Sequence, residues 1–162
     1  MATFEDYLKY EVTEEQEDKK QLRIIEKVQL SEKTVKAIKN IEKEIEIVAI
    51  AQVYCPDCRA AVTFLKKFSD LNDKIKIDYL NRKTGAEFFP NLKEGEKIKI
   101  PSLFAKKGEN YELFWNEFPK VVREEMEKNP DNFEDLKYNY RIGKFNDKIE
   151  EELVKYFLSL QK

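Results

Sequence analysis

The sequence predicts an α/β domain, a mixed sheet flanked by helices, with a helical extension at the N-terminal side. Three observations predict it. Residues 45–54 form an almost unbroken apolar run rich in β-branched side chains, the pattern of a central strand covered on both faces. That run leads into Cys55-Pro56-Asp57-Cys58, an amphipathic helix and a second apolar strand, a strand–helix–strand unit that favours a parallel pair. Further on, two strand patterns flank Gly108, which suggests an antiparallel hairpin.

The elements follow in order. Thr3 can cap a helix carrying Phe4, Tyr7 and Leu8. Beyond the acidic run from Glu14 to Asp18, read as a solvated face, Leu22, Ile25 and Val28 recur at helical spacing. Ser31 opens a third segment with Val35, Ile38 and Ile41. Residues 1–43 thus read as a helical extension packed on the domain, and residues 44–162 as the domain itself.

Pro56 suits the first position of a helix, because its missing N–H needs no partner there. Cys58, Ala61, Val62, Leu65 and Phe68 form one stripe of that helix, and Ile75, Ile77 and Tyr79 mark the next strand. Phe88 and Phe89 fit a short helix broken near Pro90, and a strand pattern from Lys97 to Lys106 is interrupted by Pro101. Tyr111 to Trp115 completes the hairpin. Pro119 starts a helix that Asn129-Pro130 stops, and Asp131 with Glu134 resembles a capping box. Asn146 opens the last helix, whose Ile149, Leu153, Val154, Phe157 and Leu158 form an apolar face. The glycines at 85, 95, 108 and 143 all read as lying between elements.

The 162 residues suffice for one domain with a proper core. Thirty basic and 32 acidic side chains nearly cancel, to a formal charge of −2, and the lysines are interspersed with glutamates. That is no nucleic-acid footprint. No segment reaches the length of a membrane-spanning helix, and the polar, acidic start lacks the form of a secretory signal. The expected location is therefore the cytoplasm. With no histidine in the chain, chemistry must run on thiols, carboxylates or lysines.

Cys55 and Cys58 are the only cysteines. At i and i+3 on a first helical turn, both sulfurs lie on one side, close enough to form a disulfide. Unpaired N–H groups and partial positive charge at the helix start favour a thiolate. Cys58 lies on the buried stripe and Cys55 nearer the exposed helix end, so Cys55 is expected to be the more reactive thiol. Arg59 adds to that effect and Asp57 opposes it.

Two other readings stand beside the redox one. Structural zinc takes four ligands from Cys and His, which only a cluster shared between two chains would complete. Free cysteines are also often inert core residues. In a reducing compartment, a lone CxxC is more often catalytic than structural.

The order of strand, CxxC at a helix start, crossover strand, proline, hairpin and closing helix resembles the thioredoxin superfamily, from about residue 44 onward. Val53-Tyr54-Cys55-Pro56-Asp57-Cys58-Arg59 looks like its active-site turn, and Ile100-Pro101-Ser102-Leu103-Phe104 like the segment carrying its cis-proline. Within it the chain is most similar to bacterial thioredoxin-like proteins with an N-terminal helical extension. Trp115 and Pro119 match a Trp and a Pro found after the hairpin there. CPDC also occurs in a thioredoxin-related protein of eukaryotes.

The resemblance implies a thioredoxin-like fold and a thiol-disulfide oxidoreductase. Cys55 would attack a protein or small-molecule disulfide and Cys58 would resolve the mixed disulfide. It further implies substrate contacts at Tyr54, Pro56, Ile100 and Pro101, with the Ile100 backbone pairing an incoming substrate strand beside a cis Ile100–Pro101 bond. No cofactor or metal is implied, and an external reductase or thiol must recycle the pair. The sequence departs from the classical pattern in Tyr54, where Trp precedes the first cysteine, and in Pro56-Asp57, where Gly-Pro stands. Ala49 occupies the place of a buried aspartate that assists proton transfer at the second cysteine. Asp57 is then the candidate for proton transfer or tuning. A redox sensor, or an adaptor using the groove without turnover, is the alternative.

Overall fold

The computed structural model describes residues 1–92 and 98–162. Three helices come first, α1 (Phe4–Leu8), α2 (Glu17–Lys27) and α3 (Glu32–Lys39). Strand β1 (Ile45–Ile50) leads through the cysteine turn into α4 (Pro56–Leu71), then β2 (Ile75–Leu80) and α5 (Arg82–Phe88). The hairpin is β3 (Ser102–Lys107) and β4 (Asn110–Asn116), followed by α6 (Lys120–Lys128), α7 (Phe133–Arg141) and α8 (Asn146–Ser159). Short 3-10 turns lie at Pro90–Leu92 and Pro130–Asn132. Among the described residues, no helix is long and apolar enough to cross a membrane.

The four strands form one mixed sheet in the order β2-β1-β3-β4. β1 runs parallel to β2, with Ile45 opposite Ile75 and Ile50 opposite Leu80, and antiparallel to β3, with Ile50 opposite Ser102. The parallel pair needs a crossover, and α4 supplies it. Because β1 has a strand on each side and helices over the sheet, Ile45, Ile47, Val48, Ala49 and Ile50 are all buried. β2 and β4 are the edge strands, and on β4 only Trp115 is buried.

Helix α4 is buried on more than one side. Cys58, Ala61, Val62, Leu65 and Phe68 are fully buried, and so is Thr63 beside them. The stripe accounts for the first group, and α2 covers the second. Helix α8 closes the core: Phe157 meets Phe68 edge to face at a centroid distance of 5.4 Å. Burying each ring contributes about 1.5–3 kcal/mol.

The three N-terminal helices are bonded to the rest. Gln21 of α2 is fully buried. Its Oε1 accepts from the Tyr7 hydroxyl (2.8 Å), and its Nε2 donates to the Arg59 carbonyl (3.1 Å) and the Thr63 hydroxyl (3.0 Å). At the sheet, the Ala2 carbonyl accepts from Tyr79 N–H (3.0 Å), while Ala2 N–H donates to Asp78 (2.7 Å). Ser31 caps α3, and its own N–H donates to buried Glu150 of α8 (3.0 Å).

Several local expectations are corrected. Leu22 is exposed, and the buried line of α2 instead passes through Gln21, with Ile25 and Val28 partly buried. A glutamine goes inside because both ends of its amide find partners there. Glu17, in the acidic run, is buried against Thr13, whose hydroxyl and N–H both donate to its carboxylate. Asp131 forms no capping box: Pro130 begins a 3-10 turn, and α7 starts after Asn132 with no side-chain cap. Gly85 lies inside α5 and not between elements, where a Cβ would stand 2.6 Å from Ile50 Cγ2, so helix and strand approach too closely for a side chain. β3 begins only after Pro101; Lys97 and Gly95 lie outside the described residues.

Candidate functional site

The site grows out of the end of β1. The chain leaves the strand through a short turn closed by Cys55 N–H donating to the Gln52 carbonyl (3.0 Å). Cys55 is the N-cap of α4 with extended backbone (φ −86°, ψ 119°), and Pro56 occupies the first helical turn. The N-cap sulfur therefore faces unpaired backbone N–H groups. Both cysteines are free thiols; Cys55 is half-buried and Cys58 completely buried.

Their environments push the two thiols apart. Cys55 is drawn down from 9.0 to about 7, chiefly by its hydrogen bond with the Cys58 side chain, against the opposing effect of burial. Backbone hydrogen bonds from Cys58 and Asp57 help, and the Asp57 charge works against them. Cys58 goes well up, first because it is buried, then because of its hydrogen bond with, and the charge on, Cys55. One sulfur is thus prepared as a nucleophile while its neighbour holds its proton.

Asp57 is not solvated. Its carboxylate is bound bidentately by Arg141, with Nε donating to Oδ1 at 2.7 Å and Nη2 to Oδ2 at 3.1 Å. The Asp57 carbonyl accepts from the hydroxyl of fully buried Tyr140 (3.2 Å). Two adjacent residues at the end of α7 thereby hold the motif turn from outside.

Tyr54 is half-buried, and its oxygen accepts from Arg82 Nη1 at 3.4 Å. Arg82 also donates through Nε to the Ile98 carbonyl (3.0 Å) and through its backbone N–H to Gln52 Oε1 (2.6 Å). One arginine therefore links the residue before Cys55 to the segment before Pro101.

The Ile100–Pro101 bond is cis. Because Ser102 pairs with Ile50, the antiparallel register brings Ile100 and Pro101 to the same end of the sheet at which β1 gives way to the cysteine turn. Among the described residues, neither the N–H nor the C=O of Ile100 has a hydrogen-bond partner. The Pro101 carbonyl accepts from Glu117 N–H at 2.7 Å. Glu117 holds a left-handed backbone (φ +64°), unusual for a glutamate.

Of the residues singled out from the sequence, Tyr54, Cys55, Pro56, Asp57 and Cys58 form one turn, and Ile100 and Pro101 come to the same sheet end. Ala49 is buried between Tyr79 and Leu103 and carries no ionisable group. Arg59, expected to act on Cys55, is buried and donates through Nη1 to the Val53 carbonyl (2.9 Å). Sequence reading did not find Tyr140, Arg141, Arg82 or Glu117. Only Arg141 left a trace, as a basic residue in a helix's last turn.

A dithiol split into an acidic, half-buried thiol and a buried one, at the helix start beside a mixed sheet, defines a thioredoxin-like protein fitted for a redox role. The sequence matches the family model described as Thioredoxin over residues 1–137, and the chain belongs to that family. Two solved structures share the fold. One is a protein of unknown function from Pseudomonas aeruginosa, at 17% identity and a TM-score of 0.72, covering 98% of this chain and 90% of that one. The other is an HIV epitope-scaffold, at 17% identity and a TM-score of 0.70, covering 98% and 91%. No curated protein sequence matches the chain.

Proposed function

We propose that the protein is a cytoplasmic thiol-disulfide oxidoreductase that reduces disulfides of proteins or small molecules. The observation that carries the reading is the asymmetry of the pair: Cys55 half-buried and lowered to about 7, Cys58 fully buried and raised. At neutral pH about half of Cys55 is then thiolate. The Cys55 thiolate attacks one sulfur of the substrate disulfide, forming a mixed disulfide and expelling the other sulfur as a thiolate. Cys58 then loses its proton and attacks the Cys55 sulfur. The second substrate thiolate leaves, the Cys55–Cys58 disulfide forms, and two electrons have passed to the substrate. An external thiol or reductase returns the pair to the dithiol.

Tyr54, Pro56 and the open Ile100 backbone are the proposed substrate contacts, beside Pro101. The bidentate grip of Arg141 on Asp57 supports tuning, in preference to proton acceptance, as the role of that carboxylate. The Cys58 proton is then taken up by water or by the departing thiolate.

Turnover of a disulfide substrate with a thiol reductant tests the reading. Cys55→Ser should abolish it, and Cys58→Ser should accumulate a mixed disulfide on Cys55, seen as an added mass. Full turnover in either variant refutes the mechanism. A parent protein that oxidises once without turnover is a redox sensor or adaptor instead.

A further inference from the structure

The clamp on the CPDC turn comes from a part of the chain remote from the motif. Asp57 and Arg141 are 84 positions apart in sequence, and Arg141 lies beyond the 1–137 span of the family match. Both carboxylate oxygens are engaged by one guanidinium, the geometry in which an Arg–carboxylate pair is strongest. The Asp57 side chain is only 11% exposed and Arg141 33%, so solvent screens the pair weakly.

We propose that Arg141 is a positioning residue for the reactive thiol: by holding and neutralising the Asp57 carboxylate, and by setting a cation next to the turn, it keeps Cys55 poised as a thiolate. The proposal rests on Cys55 being the attacking sulfur.

The groups that interact electrostatically with Cys55 come from several elements. Cys58 and Asp57 belong to α4, Tyr54 precedes the turn, Tyr7 is on α1, and Tyr140 and Arg141 are on α7. Burial pushes the Tyr7 and Tyr140 phenols far up, and Tyr54 and Cys58 are raised by the same cause, so all four are uncharged at neutral pH. Glu11 and Arg82 act on Tyr54, and Arg59 acts on Tyr7. Among the described residues, Asp57 and Arg141 are two charged groups that interact with Cys55, and they act in opposite senses. The carboxylate disfavours the thiolate, whereas the thiolate and the guanidinium favour each other's charged forms.

That opposition separates an electrostatic role from a merely structural one. Each single variant loosens the same bidentate contact, so slackening of the turn would move both the same way. Charge moves them apart. The experiment is a thiolate titration by ultraviolet absorbance on the reduced full chain, comparing the parent with Arg141→Gln, Arg141→Lys, Asp57→Asn and the Asp57→Asn/Arg141→Gln double variant.

The Cys55 midpoint should rise by about one pH unit in Arg141→Gln. At neutral pH that lowers the thiolate fraction roughly five-fold. In Asp57→Asn the midpoint should fall, and the double variant should return close to the parent. Arg141→Lys, which keeps the charge without the fork, should lie between parent and Arg141→Gln. Shifts of the same sign in the two single variants, or an unmoved midpoint in Arg141→Gln, overturn the proposal. If Arg141→Gln does not fold, Asp57→Asn still decides, since an unchanged or raised midpoint there is fatal. Disulfide turnover is measured alongside. A parent without turnover but with the opposed shifts refutes the reductase and supports the clamp; a parent with turnover and no opposed shifts does the reverse.

Discussion

Replacing Gln21 with leucine tests whether the N-terminal helices and the sheet unfold as one unit. Gln21 makes three hydrogen bonds in a fully buried position. Their losses are not equal. The Thr63 hydroxyl still donates to the Arg59 carbonyl at 2.8 Å, so neither of those groups is left bare. The Tyr7 hydroxyl, on a ring with no exposure, loses its acceptor and has no other partner among the described residues. An orphaned buried hydroxyl costs about 1–3 kcal/mol. For a chain of this size that is a fall in Tm of roughly 2–12 °C. Tyr7→Phe alone strands Gln21 Oε1 and should cost a similar amount. Removing both partners together leaves an apolar contact, so the double variant should lose less than the sum, by about 0.5–3 kcal/mol. Thermal unfolding of the four proteins by circular dichroism reads the cycle. Additive losses would refute the reasoning. So would faster hydrogen exchange confined to α1 and α2 with no change in global Tm.

Other expectations follow from single sites. Alkylation of Cys55, mapped by peptide mass, should rise with pH through about 7 and level off above it, while Cys58 stays unlabelled until the protein is denatured. With a thiol lowered from 9.0 to about 7, Cys55 should carry about fifty-fold more thiolate at neutral pH than an unperturbed cysteine. Its lower nucleophilicity cuts the rate advantage to several-fold. Gly85→Ala should destabilise despite the helix preference for alanine: the new Cβ falls 2.6–2.8 Å from three atoms of fully buried Ile50. Overpacking costs about 1–3 kcal/mol against a propensity gain of about 1 kcal/mol, and a higher urea midpoint than the parent would contradict this. Phe157→Ala should cost about 3–5 kcal/mol by emptying the contact with Phe68, measurable as a lowered urea midpoint at unchanged slope.

What the sequence disclosed was governed by distance along the chain. Thr3, Ser31 and Pro56 announce helix starts because a cap acts within three residues of itself. The burial difference between Cys55 and Cys58 was legible for the same reason, since one helical stripe decides it. The clamp was not legible, because nothing local at Arg141 says that its partner is Asp57. Leu22 was placed on the buried line in place of Gln21 because hydrophobic periodicity counts an amide as polar, whereas burial depends on whether its partners are present. Gly85 showed the converse error. Glycine read as punctuation, but here its use is the absence of a side chain against Ile50.

The backbone bond between Ala2 and Tyr79 has a consequence for association. β2 and β4 are the two borders of the sheet, and an uncovered border offers unpaired N–H and C=O groups to any other extended chain. On β4 the border is guarded by charge: Lys107 and Glu112 pair across the hairpin at 3.0 Å and both stay exposed. On β2 the guard is the chain's own N-terminal stretch. Ala2 occupies the outer side of Tyr79, and the Tyr10 hydroxyl takes the Tyr79 carbonyl at 2.7 Å. The first ten residues thus cover that border, and a chain lacking them should associate through it, an increase in particle size that size-exclusion chromatography would detect.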